Sequence, residues 1–201
     1  KTAYEIVDCD WSSDVCSSDL NCVKDCTQCC IEREYYPSKK FGKIGVLILP
    51  DEKQKIESLA ESLSIHVEII PRIGVSHDDL GPSKVIAYQM MGKEQNGNTC
   101  PFLDFNARSP HGGYACKIYN QRPLACKAYP LIDTNPFMLD QKCKFCDTCT
   151  TADSNLNSET DALVQIKNNM NAGAQKIWRY ATGIGEQTDL PIIQKGWIKE
   201  N

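Results

Sequence analysis

Residues 45–63, GVLILPDEKQKIESLAESL, change character midway, and that change decides the kind of fold. Gly45 to Leu49 is a short apolar run of strand type. Pro50-Asp51 stops it, and Asp51 with Gln54 makes a capping box. In the helix that follows, Ile56, Leu59, Ala60 and Leu63 return at helical spacing. A strand handing over to an amphipathic helix makes the chain α+β. Outward from this stretch, HVEII at 66–70 reads as strand and IGVSHDDLGPS at 73–83 as loop. KVIAYQMM at 84–91 fits either strand or short helix. Near the C-terminus Ser158 suits an N-cap, with Glu159 and Asp161 in the first turn. Leu163, Ile166, Met170, Ala174, Ile177 and Ala181 then line one face of a long helix that stops at Gly183. The expected fold is therefore mostly helix and loop with a few short strands, organised around a cysteine-ligated metal site.

That last expectation comes from composition. The 201 residues are 41% hydrophobic and 24% charged, as in an ordinary globular protein, but 12 are cysteine. Residues 1–20, KTAYEIVDCDWSSDVCSSDL, resemble a translated short-read sequencing adapter, because two primer segments fit in one frame with room for a sample index between them. Read as non-native, they are left out of the fold reasoning. Lys1 is the one base there, against Glu5, Asp8, Asp10, Asp14 and Asp19, so the rest carries 21 basic and 21 acidic side chains. The formal charge of -4 belongs to that segment, and Cys9 and Cys16 go with it, leaving ten cysteines. A balanced charge with no basic cluster gives no nucleic-acid face. No apolar run approaches the roughly 20 residues that cross a bilayer.

The ten cysteines fall into three groups. Cys22, Cys26, Cys29 and Cys30 follow C-x3-C-x2-C-C, and Cys143, Cys146 and Cys149 follow C-x2-C-x2-C. Between them lie CPFLDF from Cys100 and CKIYNQRPLACKAYP from Cys116, separated by the turn at Gly112-Gly113. A two-residue gap lets two thiolates converge on one metal, whereas disulfides rarely close such short loops. Metal is preferred to a disulfide-bonded secreted domain, which the even count also permits. The side chains of Cys29 and Cys30 are expected to diverge, serving two metals, or one as ligand and the other as a buried thiol. Pro123 suits the first position of a short helix that brings Cys126 to its positive end, where a thiolate is favoured. Arg122 could balance the charge of a thiolate site. Among His66, His77 and His111, only His111 lies near the cysteines in sequence, and a loop role is preferred for it over ligation.

CVKDCTQCC, GVLILPDE, CPFLD and CKIYNQRPLACKAYP together resemble the YkgJ-type cysteine-cluster family, known as zinc- or iron-chelating proteins. The resemblance covers about residues 21–131 and implies Cys22, Cys26, Cys29, Cys30, Cys100, Cys116 and Cys126 as ligand positions. It also implies that Tyr119, Arg122 and Pro123 belong to the site, holding the cofactor in place. Flagellin lysine N-methylases carry a similar cluster, so the resemblance allows a protein-modifying enzyme. The denser CKFCDTC group, Cys143 to Cys149, either joins the first site or forms a second.

C-x3-C-x2-C also matches radical S-adenosylmethionine enzymes, but their barrel needs more βα alternation than this chain offers. CKFCDTC resembles the start of a bacterial ferredoxin motif without the x3-C-P that follows it there. No GxSxG, P-loop, dinucleotide fingerprint or HExxH is present. The expectation is a cytoplasmic metal-binding domain over residues 21–150, with a linker and C-terminal helix over 151–201 packed on it. Its cofactor is an iron–sulfur cluster or zinc, with the cluster preferred because more than four close thiols and an adjacent pair suit several metals. A structural zinc module without catalysis is the alternative. The partner is the metal ion or cluster, with neither nucleic acid nor membrane, and no protein partner is indicated. Cys22, Cys26, Cys29, Cys100, Cys116 and Cys126 are expected to converge.

Overall fold

The computed structural model describes residues 25–31, 41–93, 99–140, 143, 156–183 and 195–200. In chain order these form α1 (Gln28–Ile31), β1 (Val46–Ile48), α2 (Pro50–Ser62), β2 (Ile69–Ser76) and β3 (Lys84–Met90). The hairpin β4 (Leu103–Arg108) and β5 (Tyr114–Cys116) leads through a 3-10 turn at Tyr119–Gln121 into α3 (Leu124–Ala128). A second hairpin, β6 (Leu131–Thr134) and β7 (Phe137–Leu139), is followed by α4 (Asn157–Asn169), β8 (Lys176–Ala181) and β9 (Gly196–Lys199).

The expectation of mostly helix and loop is overturned. Strand takes 34% of the described residues and helix 28%, and the main sheet is five-stranded and antiparallel throughout, in the order β1-β3-β2-β8-β9. The organising centre is likewise corrected, from a metal site to this sheet and its apolar core. Val46 and Ile48 of β1, Ile56 and Ala60 of α2, Met90 of β3, and Leu163 and Ile166 of α4 meet Phe102 in one buried cluster. Cys100, Cys116 and Cys126 pack against that cluster from its side.

Local chemistry explains where the reading went astray. The loop reading of residues 73–83 is corrected at its start, where residues 73–76 continue β2. Pro71 needs no ladder donor because β8 pairs with β2 only from Ile73 to Ser76, and the strand shifts register between the two. Gly74 is required because a Cβ there would stand 2.5 Å from the Pro82 side chain. The long C-terminal helix is corrected too. Its helical spacing holds through Ile166 and Met170, but α4 ends at Asn169, and Gly173 takes the left-handed region at φ 56. Ile177 and Ala181 then lie in a strand, where Trp178 and Tyr180 alternate with them. Its start is also not capped by Ser158, whose hydroxyl donates to Glu159 at 3.0 Å.

The strand-to-helix switch at Pro50 forms with a different cap. Pro50 opens α2, and Glu52 rather than Gln54 reaches back, its Oε2 accepting the Leu49 N–H at 3.0 Å. Gln89 resolves a polar problem inside the sheet. Its buried side chain accepts the Gly45 N–H at 2.9 Å and donates to the Pro71 carbonyl at 3.3 Å. Among the described residues no helix is long and apolar enough to cross a membrane. The expectation for residues 1–20 lies outside the described residues.

Candidate metal centre

The first cysteine segment is seated on the turn of the β4–β5 hairpin. Asp25, in the left-handed region at φ 61, donates its N–H to the His111 carbonyl at 2.8 Å. His111 Nε2 donates to the Cys26 carbonyl at 3.1 Å, and Thr27 Oγ1 accepts the Tyr114 N–H at 3.1 Å. His111 is thus a latch between turn and loop, as a loop histidine would be. The two glycines predicted as a turn have a closer duty. A Cβ on Gly113 would overlap the Cys26 carbonyl oxygen, and one on Gly112 would overlap the Asp25 carboxylate. On its far side the segment is tied to the second cysteine group, the Cys100 N–H donating to the Cys30 carbonyl at 2.7 Å.

These contacts bring Cys29, Cys100 and Cys126 within electrostatic reach of Cys30, and Cys29 and Cys126 within reach of Cys116. Cys29 and Cys30 lie on α1, with their Sγ atoms 4.0 Å apart. Where divergence was expected the two sulfurs share a hydrogen bond, and two thiolates on one tetrahedral zinc would stand about 3.8 Å apart when each Zn–S bond is about 2.3 Å. Cys100 precedes β4, and Cys116 ends β5 opposite Leu103. Cys126 lies in the first turn of α3, its N–H donating to the Pro123 carbonyl at 2.8 Å. Pro123 is the residue before the helix rather than its first residue.

The electrostatics record the same neighbourhood. The hydrogen bond with Cys29 pushes the Cys30 thiol well above the ordinary cysteine range, helped by burial and by the thiols of Cys29, Cys100 and Cys126. Burial pushes Cys116 up to about 11, with Cys126 and Cys29 adding to the rise, while an Ile118 backbone hydrogen bond and Arg122 oppose it. Arg122 is the nearby positive charge that the sequence suggested. Its guanidinium lies 3.9 Å from the Tyr119 ring centroid, and its Nε donates to the Tyr119 carbonyl at 3.0 Å. The pair forms an exposed unit beside Cys116.

Cys26 lies in the seated loop, and Cys143 follows β7 with its N–H on the Asp140 carbonyl at 2.9 Å. Cys22, Cys146 and Cys149 lie outside the described residues. Sequence reasoning missed Asp25, Thr27 and Glu52. The Glu52 Oε1 accepts the Leu124 N–H at 2.7 Å while Oε2 serves Leu49. A glutamate two residues after the proline that opens a helix was the available signal for it.

Among the described residues, no three His, Cys, Asp or Glu side chains come close enough to hold a metal ion as they stand. The donor set nonetheless suits zinc or iron. The described cysteines are thiols and half-buried, and one pair is already at ligand spacing. A cavity of about 410 Å³ lies on the other side of α3, against Ala125, Ala128, Leu163 and Ile166, and no cysteine is among its described lining. Cavity and thiol cluster are separate features.

An antiparallel sheet carrying a seated, half-buried cysteine segment defines a cysteine-rich α+β domain. Residues 21–149 match the CxxCxxCC family, described as "Putative zinc- or iron-chelating domain", and the chain belongs to that family. No curated protein and no solved structure matches the chain.

Proposed function

We propose that this chain chelates a single zinc or iron ion through Cys29 and Cys30 of α1, completed by two of the thiols of Cys100, Cys116 and Cys126. Cys22 and Cys26 are further ligand positions by family resemblance. The 4.0 Å separation of the adjacent thiols carries this reading, because two sulfurs at that spacing suit one tetrahedral ion. When bound, the ion supplies the positive charge that lets raised thiols release their protons. The chain's own residues do the rest. The hairpin turn seats the Cys26–Cys30 segment, the Cys30 carbonyl fixes the start of the second group, and Arg122 offsets the negative charge left on Cys116. A closed structural site accounts for this arrangement with no reaction assigned.

An iron–sulfur cluster is the second reading, favoured by five thiols in one electrostatic neighbourhood where one ion needs four. Metal and acid-labile sulfide analysis of the full chain, purified without oxygen, separates the two. Zinc, or iron without sulfide, supports the single ion. Iron with an equal amount of sulfide supports the cluster. Protein that takes up no metal from either source overturns both.

A further inference from the structure

We infer that Glu52 is the positioning residue of the thiol site, setting Cys126 against the other thiols through a hydrogen bond to the start of α3. The inference takes its metal from the reading above, but its geometry stands on two hydrogen bonds alone. α3 has five residues, too few to hold a helical turn without outside support. The residue before it is Pro123, whose side chain offers no acceptor for the first N–H groups. Cys126 and Lys127 direct theirs to the Pro123 carbonyl, at 2.8 and 3.1 Å. The Leu124 N–H goes instead to Glu52 Oε1 at 2.7 Å, across 72 positions of chain.

The other oxygen of the same carboxylate is fixed. Oε2 accepts the Leu49 N–H at 3.0 Å, at the start of α2. That helix is anchored by Ile56 and Ala60, both buried in the core. One half-buried carboxylate therefore ties a rigid helix start to a weak one, and each contact is a charge-assisted bond of the strong kind. Two residues beyond Leu124 stands Cys126, the thiol that raises both Cys30 and Cys116. Without Glu52, Leu124 keeps no fixed acceptor, and the turn carrying Cys126 is free to open. A glutamine at 52 retains one acceptor oxygen but turns an NH₂ group toward the other N–H, so it can replace only half of the function.

The test uses the full chain with Glu52→Ala and Glu52→Gln, each alone and with Cys126→Ser. Metal-free protein is labelled briefly with iodoacetamide and each cysteine is read by mass spectrometry. Cobalt(II) affinity is measured separately by competition. Loss of a charge-assisted hydrogen bond predicts that Cys126 labels about tenfold faster in Glu52→Ala, while Cys116 stays within about twofold. Cobalt affinity should fall by about tenfold in the same variant, by less in Glu52→Gln, and by under about twofold once Cys126 is already serine. Uniform acceleration of every thiol, unchanged Cys126 labelling, or an equal affinity loss in the Cys126→Ser background would each overturn the inference. If the wild type takes up no cobalt, the metal reading fails, and the labelling ratio still decides the role of Glu52. If Glu52→Ala does not fold, the Glu52→Gln labelling ratio decides it.

Discussion

Gly113→Ala isolates the contact on which the site's assembly depends. The backbone at Gly113 is not in the left-handed region, so alanine is allowed there locally, and any penalty comes from what its methyl meets. That methyl overlaps the Cys26 carbonyl oxygen and stands 2.9 Å from Thr27 Oγ1 and 3.0 Å from the Cys26 carbonyl carbon. Two of these three atoms are backbone and cannot swing aside. Overpacking of this kind costs about 1–3 kcal/mol if the loop stays seated. Lifting the loop instead gives up three hydrogen bonds, from Asp25 to His111, from His111 to Cys26 and from Tyr114 to Thr27. At about 1 kcal/mol each, lifting sets a ceiling of about 3 kcal/mol. With lifting about 3 kcal/mol above the seated wild type, an overlap of about 1–3 kcal/mol leaves about half or more of the loops seated, so metal affinity falls by about twofold at most. The unfolding free energy of the metal-free protein should fall by about 1–3 kcal/mol, because the same overlap raises the folded state. Zinc affinity by competition with a chromophoric chelator, set beside urea unfolding of the metal-free protein, checks both numbers. An unfolding free energy within about 0.5 kcal/mol of the wild type would refute the reasoning, as would an affinity loss of about tenfold or more.

Other outcomes follow from the scaffold. Gln89→Leu strands the buried Gly45 N–H and the Pro71 carbonyl, and should lower the unfolding free energy in urea by about 1–3 kcal/mol with little effect on the slope. Asp79 is held down to about 2 by hydrogen bonds from Lys176, at 2.7 Å, and Lys199, which tie the β2–β3 loop to β8 and β9. Its pKa in the folded chain is below the ordinary 3.8, so its contribution is complete above that value and fades as pH falls toward 2. The urea midpoints of wild type and Asp79→Asn should therefore differ at pH near 5 and converge near 2, and a gap that widens on acidification would contradict this. Because the group is exposed, added salt should narrow the gap as well.

The parts of the fold legible in the sequence are those where one local signal dominates. GVLIL followed by proline gave β1 and the start of α2, and a 3.6-residue period placed Ile56 and Ala60 in the core. The sheet was far less legible. β4, β6, β7 and β9 are three to six residues long, too short for alternation to stand out, and β8 carries apolar residues four apart, a spacing that also fits a helix. At the site, cysteine spacing pointed to the segments but not to their seating. That seating is made by the His111 and Thr27 side chains on backbone groups of Cys26 and Tyr114, by the Asp25 N–H and by space at Gly113, none of which leaves a periodic trace. Glu52 was hidden for a related reason. Its second partner, Leu124, is 72 positions away, and only the tertiary fold brings the start of α2 to the start of α3.

Zinc loading of the full chain, read by native mass spectrometry in wild type and in the Cys29→Ser/Cys30→Ser double variant, tests metal chelation by the thiol cluster most directly. The account predicts that the folded double variant carries one ion fewer per chain than the wild type. Equal zinc content in the two proteins, or none in the wild type, would contradict it.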